Sequence, residues 1–433
     1  MKPFAASIVV LSALVAAPVA EAQEWRPSRP YRGLFAGGVG ETQHLLTISA
    51  SAGGGWDKNL VTGPDGRNLL LGEGNSRFQG GATTGSATLS YSFSGDRAQI
   101  GMSAGTTARY YPRLSDPLVR REYASLGAFA TLGGGFSLRG NASYQPYSLK
   151  SLYPGLYEPV LGDPAIVDLD FPDSNEDYVS YLGSLGFSRA ISPRNTFSAD
   201  YSYQGRPASG SLSGYDRHSG AVRLRRALTR DLGLRIGYGY SKALYGSGRD
   251  NFGSHLIDVG FDYDRGLSIS RRAKISFGSG TTASRRLGSE IRMHVTGSAG
   301  FSYEIARTWN AAISYNRGLQ FVDTWPEPIF SDAVIAGVSG LLNSRTQLSV
   351  SARGLEGRGY DENVGKGRTY SGVAGLSVAI TRHISTGITY AYYRHKFTSG
   401  TVLAPGFPNE FDGQTIRASV SVWAPLFQSA RRP

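Results

Sequence analysis

From residue 43 onward the chain repeats one theme: about a dozen residues in which apolar and small or polar side chains alternate, then a break. The clearest instance is Leu232, Leu234, Ile236, Tyr238 and Tyr240, with Gly233, Arg235, Gly237 and Gly239 between them. Phe197, Ala199, Tyr201, Tyr203 and Ile291, Met293, Val295, Gly297, Ala299, Phe301, Tyr303 read the same way. A period of two sends alternate side chains to opposite faces of a strand, whereas an amphipathic helix needs a period of about 3.6. The breaks alternate in kind. One kind is short, and mostly carries arginine: Arg97, then Arg194, Arg230, Arg271, Arg307, Arg345 and Arg382, the last six separated by 36, 41, 36, 38 and 37 residues. The step from Arg97 to Arg194 is 97 and contains an arginine-free turn at Gly133-Gly134-Gly135. The other kind is longer and irregular: about 53–79, 107–120, 148–176, 205–213, 246–251, 284–289, 318–328, 357–367 and 397–411. A fixed period of this length marks an internal repeat, here of one hairpin.

Short turns on one side and long loops on the other describe a membrane-spanning barrel. Strands are expected to begin near 43, 80, 97, 121, 135, 177, 194, 215, 231, 252, 270, 289, 307, 329, 344, 368, 382 and 412. The fold class that follows is all-β: a transmembrane antiparallel up-and-down β-barrel of about 18 strands, with 16 as the other count. Lipid supplies no hydrogen-bond partners, so the sheet must close on itself and turn its apolar face outward. Tyr110, Tyr111, Trp309 and Tyr392, near strand ends, suit an interfacial aromatic belt. Composition removes the competing classes. With 57 glycines and 18% charged residues the chain is a poor helical bundle, and 25 tyrosines with 19 phenylalanines make it too aromatic for a disordered one. The absence of cysteine excludes a disulfide scaffold, a thiolate metal site, a cysteine nucleophile and a lipoprotein anchor.

The N-terminus reads as an export signal. Lys2 precedes an apolar run from Ile8 to Ala17, and Ala20-Glu21-Ala22 fits the cleavage pattern. The expected organisation is a signal peptide over 1–22, a Pro- and Gly-rich periplasmic leader over 23–42, the barrel over 43–427, and a tail over 428–433.

This architecture resembles the bacterial outer-membrane porin class, over residues 43 to 427, as a pattern and not as a sequence motif. The resemblance implies a channel in the outer membrane after signal-peptide cleavage, bounded by lipid and lipopolysaccharide. The last strand, Ile416, Ala418, Val420 and Val422 followed by Trp423-Ala424-Pro425-Leu426-Phe427, resembles the aromatic-ended strand that barrel assembly machinery recognises. It departs from it in Pro425, which cannot donate to the ladder, and in the residues 428–433 beyond Phe427.

With the apolar set outward, parity sends Arg139, Arg223, Arg225, Arg235, Lys274, Arg292, His294, Arg353 and Arg417 inward, with Asp200, Asp258, Asp262 and Glu290. Such a wall draws anions and orders water in a pore. The alternative is cross-strand ion pairing, Arg235 with Asp258 for instance, which stiffens the wall and selects nothing. The third long loop carries Asp163, Asp168, Asp170, Asp173 and Glu176, and Asp177 follows at its end. In porins the third external loop folds into the lumen with its acids facing wall arginines, so the resemblance implies a constriction there. A solvated loop binding divalent cations is the other reading.

Other chemistry finds little footing. Gly101-Met102-Ser103-Ala104-Gly105 matches a nucleophile-elbow pattern but lies within a strand, where the elbow needs strand, turn and helix. Gly278 to Ala283 lacks the following helix of a dinucleotide loop. The six histidines have no metal-ligand spacing. The net charge of +12 is spread over turns and ladders rather than gathered into a nucleic-acid-binding patch. The sequence therefore points to a non-enzymatic channel without cofactor, passing small hydrophilic and in the sharper form anionic solutes, with homo-oligomerisation left open. An export barrel for a surface polymer and a closed structural or surface-binding barrel are the alternatives.

Overall fold

The computed structural model describes residues 42–430 apart from 63–75, 114–117, 147–176, 208–213, 230–231, 246–250, 268–269, 287–289, 307, 321–328, 360–365 and 399–408. It is one closed sheet of 18 antiparallel strands. In chain order they are β1 Thr42–Thr62, β2 Ser76–Ser94, β3 Ala98–Tyr110, β4 Leu118–Gly133, β5 Phe136–Pro146, β6 Asp177–Ser192, β7 Asn195–Arg206, β8 Tyr215–Ala227 and β9 Leu232–Tyr245. They continue with β10 Asn251–Leu267, β11 Ser270–Arg286, β12 Arg292–Ala306, β13 Trp309–Gln320, β14 Ile329–Asn343, β15 Thr346–Gly359, β16 Lys366–Ala379, β17 Ile384–Phe397 and β18 Glu410–Ala430. Each strand pairs with its neighbours in sequence, and β1 also pairs with β18 from Thr42↔Ala430 to Lys58↔Gln414. That last ladder removes the two open edges the sheet would otherwise have.

The outside is apolar. Ile48, Leu89, Met102, Leu126, Leu185, Val222, Ile236, Val259, Ile313, Val350, Ile388 and Val420 all expose more than a third of their surface. A soluble protein rarely exposes an apolar patch beyond roughly a few hundred Å², so this band faces lipid. The inner face holds the polar partners of the same alternation, with Asp57, Arg109, Arg121, Arg235, Asp258 and Arg353 buried.

The repeat seen in the sequence returns as repeated chemistry. In the β8–β9 turn, Leu228 N donates to Leu232 O (2.9 Å) and Leu232 N donates to Thr229 Oγ1 (3.0 Å). In the β16–β17 turn, Ile380 N donates to Ile384 O (2.9 Å) and Ile384 N to Thr381 Oγ1 (3.0 Å). On the outer face, Tyr201 meets His218 Nδ1 at 2.8 Å and Tyr238 meets His255 Nδ1 at 2.7 Å, each pair 17 residues apart. The arginine-free turn works differently: Gly133, Gly134 and Gly135 have φ of 86°, 61° and 92°, the left-handed region that glycine enters at least cost.

Every strand begins within four residues of its expected position, the largest difference being β2, at Ser76 against 80. The first long break is shorter than expected, because β1 runs on to Thr62. Its Gly53-Gly54-Gly55 run looks like a turn, but it marks close contact with β18. A Cβ on Gly53 would lie 2.3 Å from Ala418 O, and one on Gly55 would lie 2.7 Å from Arg417 Cγ. Pro425 sits at a register shift, where Leu46↔Phe427 is followed by Thr47↔Pro425, so its missing donor falls at a bulge. β18 continues through Phe427 to Ala430.

Candidate functional site: the inner wall

Parity along each strand, fixed by the exposed apolar residues, decides which side chains enter the lumen. On β7 to β10 it sends in Asp200, Arg223, Arg225, Arg235 and Asp258. Four of them form one network. Arg223 Nη1 lies 2.7 Å from Asp200 Oδ1, Arg223 Nε 3.4 Å from Asp258 Oδ2, and Arg235 Nε 2.6 Å from the same oxygen. The side chains of Arg235 and Asp258 are 4% and 5% exposed, and those of Arg223 and Asp200 15% and 25%. Room for this layer comes from glycine opposite it. Arg223 and Asp258 both register with Gly237, and a Cβ there would fall 2.8 Å from Arg223 Cγ.

The network explains why so many charges can be buried: each guanidinium has a carboxylate within reach, which offsets part of its desolvation. The ion pair between Arg235 and Asp258 therefore exists as geometry, beside cations that remain accessible. Arg139, Arg225 and Lys274 are exposed and lie near the short-turn ends of β5, β8 and β11. Arg139 also sits 5.8 Å from the centre of the Phe129 ring. Together they give that mouth a basic vestibule. Arg353 is buried on the inner face of β15, and Arg417 on β18 reaches Asp57 Oδ1 at 3.4 Å.

Of the remaining expected wall residues, one lies outside a strand. Glu290 precedes β12, which begins at Arg292, so it is not on the wall; the register of β12 starts later than alternation through Ile291 suggested. Asp262 lies in β10 opposite Gly233, and its side chain is outside the described residues. Arg292 opens β12 opposite Ser284, and His294 stacks on Phe330 with ring centres 4.5 Å apart. Asp163, Asp168, Asp170, Asp173 and Glu176 lie outside the described residues; Asp177 begins β6, opposite Pro146, with its side chain undescribed.

A second buried group escaped the sequence reading. Asp57 on β1 is 2% exposed and accepts from the Tyr111 hydroxyl at 3.0 Å as well as facing Arg417. Tyr111, expected in the outer belt, is fully buried, because it continues the inward odd parity of Arg109 one residue past β3, while Met102 and Tyr110 face outward. Arg109 and Arg121, 1% and 7% exposed, lie on the inward faces of β3 and β4. Asp57 was hidden by the triple glycine before it, which read as the start of a loop. The one signal for it is that odd positions 47, 49, 51 and 57 keep alternating through the glycines. Among the described residues no group of His, Asp or Glu has the arrangement of a metal site.

No known family matches the sequence, and no curated protein matches it either. Solved structures that resemble the fold are outer-membrane β-barrels. OccK1 of Pseudomonas aeruginosa is 9% identical, with 89% of this chain and 100% of that chain covered and a TM-score of 0.42. The FrpB iron transporter of Neisseria meningitidis is 12% identical, covering 89% and 82% with a TM-score of 0.41. The siderophore receptor PirA of P. aeruginosa is 10% identical, covering 88% and 80% with a TM-score of 0.40. The likeness to this chain is one of architecture.

Proposed function

We propose that the protein is an outer-membrane channel for small hydrophilic solutes, with an inner wall that favours anions. The closed barrel with an apolar outside and a charged inside supports the outer membrane as its place, with the short turns periplasmic and the long loops outside. The observation that carries the reading is the charge balance of the inner wall. Among the described residues Arg109, Arg121, Arg139, Arg206, Arg223, Arg225, Arg235, Lys274, Arg353 and Arg417 share it with Asp57, Asp200, Asp258 and Glu304. Fixed cations in excess raise the local concentration of anions and repel cations. Of these, the accessible side chains Arg139 and Arg225 meet a solute, while Arg235 and Arg223 hold the wall together through Asp258.

The test is single-channel recording of the refolded mature chain in a planar bilayer under a salt gradient. An anion-preferring reversal potential is expected, and Arg139→Gln with Arg225→Gln should move it toward zero at unchanged fold. An unmoved potential in that double variant would remove the vestibule from selectivity. A second reading, a closed structural barrel, is favoured by one feature at the loop end: Tyr215, Ala243 and Phe252 form a buried apolar cluster with Leu319 packed on it.

A further inference from the structure

That apolar cluster joins strands that are not neighbours. Tyr215, Ala243 and Phe252 lie on the inner faces of β8, β9 and β10, because Val222, Ile236 and Ile257 on the same strands face lipid with opposite parity. Leu319 has the parity of Ile313, which is 46% exposed on the outer face of β13. Between β10 and β13 stand β11 and β12, a separation of about 14 Å at roughly 4.8 Å per strand. A leucine from the outer face of β13 reaches the inner face of β8–β10 only if the end of β13 has passed inside the wall.

Two further observations agree. The β12–β13 ladder stops at Gly297↔Arg317, although β12 continues to Arg292 paired with β11, and β13 continues to Gln320 paired with β14. Phe330 on β14 has the parity of the lipid-facing Val334 and Val338, yet it is 8% exposed. It stacks on His294, which has the parity of the buried Thr296 and not of the exposed Met293 and Val295. Arg317, at the branch point, lies over the same Phe330 ring at 5.1 Å, as an outward neighbour on the paired β13–β14 ends. The outer face of the β13–β14 end is thus packed against the inner face of β8, β9, β10 and β12.

We infer that this end of the β13–β14 hairpin, residues 317–320 with 329–332, is a gate that closes the lumen by folding inward and opens it by rejoining β12. The inference rests on the channel reading above. Continuing the existing register past Gly297↔Arg317 would oppose Thr296 to Gly318, Val295 to Leu319 and His294 to Gln320. The wall thus already contains the pairing positions the open state needs. Closure exchanges those backbone bonds for apolar contact by Leu319 and burial of Phe330, and a ligand or load that favours one packing shifts the balance between the two. In the closed state Met293 and Val295 lie on the outer face of β12 beyond its last described pairing with β13, and they are 71% and 66% exposed.

The chain has no cysteine, so engineered pairs report on the hairpin without background. Ala243→Cys with Leu319→Cys should crosslink on oxidation and lower conductance at least tenfold, with recovery on reduction. Val295→Cys with Leu319→Cys should also crosslink, and should hold a steady open level. Formation of the first disulfide with unchanged conductance overturns the gate. So does failure of the second pair to crosslink, since the hairpin then never returns to the wall. If both pairs crosslink and the barrel stays silent in every state, the hairpin moves but the channel reading falls, and the gate with it. Leu319→Ala keeps the proposal testable should the cysteine variants not fold; it should raise the open fraction, and an unchanged or lower open fraction counts against the gate.

Discussion

Asp258 and Glu410 make the same kind of contact in opposite surroundings. Asp258, inside the barrel, faces Arg223 and Arg235 from β8 and β9, with side-chain exposures of 5%, 15% and 4%. Glu410, on the outer face at the loop end of β18, faces Arg394 and Lys396 of β17, with exposures of 41%, 50% and 60%. Both are one carboxylate between two cations. They differ in what water does when the contact breaks. Around Glu410 each freed charge is solvated at once, whereas inside the wall it is left in a medium that cannot replace its partner. The inner contact is therefore part of the architecture and the outer one an ornament of the rim.

The strongest way to break this contrast is Asp258→Ala. It strands the Arg235 guanidinium inside the wall, leaves Arg223 with Asp200 alone, and should cost about 3–5 kcal/mol of unfolding free energy, measured by urea titration in lipid vesicles. A loss well below about 1 kcal/mol would mean that lumen water solvates the site as freely as it does Glu410. The same variant should shift the reversal potential in the anion-selective direction, because positive charge on the wall is no longer compensated.

Asp57 tests an intermediate setting. It is as buried as Asp258, but its partners are one hydroxyl, that of Tyr111, and a more distant guanidinium, that of Arg417. Asp57→Asn keeps the shape and removes the charge, and it should cost about 1–3 kcal/mol. Tyr111→Phe removes one donor to the carboxylate and should cost about 1.5 kcal/mol, the low end for a hydrogen bond to a charged group. If the two variants cost the same, Arg417 contributes nothing to holding β1 against β18. The order between them is read from unfolding midpoints in one titration series.

What the sequence disclosed follows the regularity of the wall. Where two faces alternate without interruption, as in β9, parity placed Arg235 inside and Tyr238 outside, and even named Asp258 as a partner. Where the backbone departs from the regular ladder, parity stopped carrying the information. Gly53 to Gly55 looked like a turn because glycine has no side chain to show which face it occupies, and Asp57 was hidden behind it. Tyr111 was placed with the aromatic belt by its residue type and its nearness to the strand end, although the parity of Arg109 and Tyr110 already puts it inside. The inward fold of the β13–β14 end reverses what parity means, since Leu319 and Phe330 keep the outward pattern while touching the inside. Only a contact across the barrel reveals that, and no local pattern encodes it.

The smallest expected effect is at the rim, and its sign is fixed by protonation. Hydrogen bonding from the Arg394 guanidinium holds the Glu410 carboxyl below its ordinary pKa, at a position two outward residues beyond Tyr392↔Gln414 and so outside the bilayer. A carboxyl depressed in the folded state favours folding above its unfolded pKa, and that contribution fades as pH falls through the depressed value. Glu410→Gln should therefore differ from wild type only at neutral pH and low salt, and the difference should vanish in acid. Salt should erase it too, since exposed charges are screened over about 8 Å at physiological ionic strength. Asp258→Ala should show neither convergence in salt nor a comparable small size. If the Glu410→Gln difference instead survives high salt, the rim contact is shielded from solvent and the division between inner and outer ion pairs fails at its outer end.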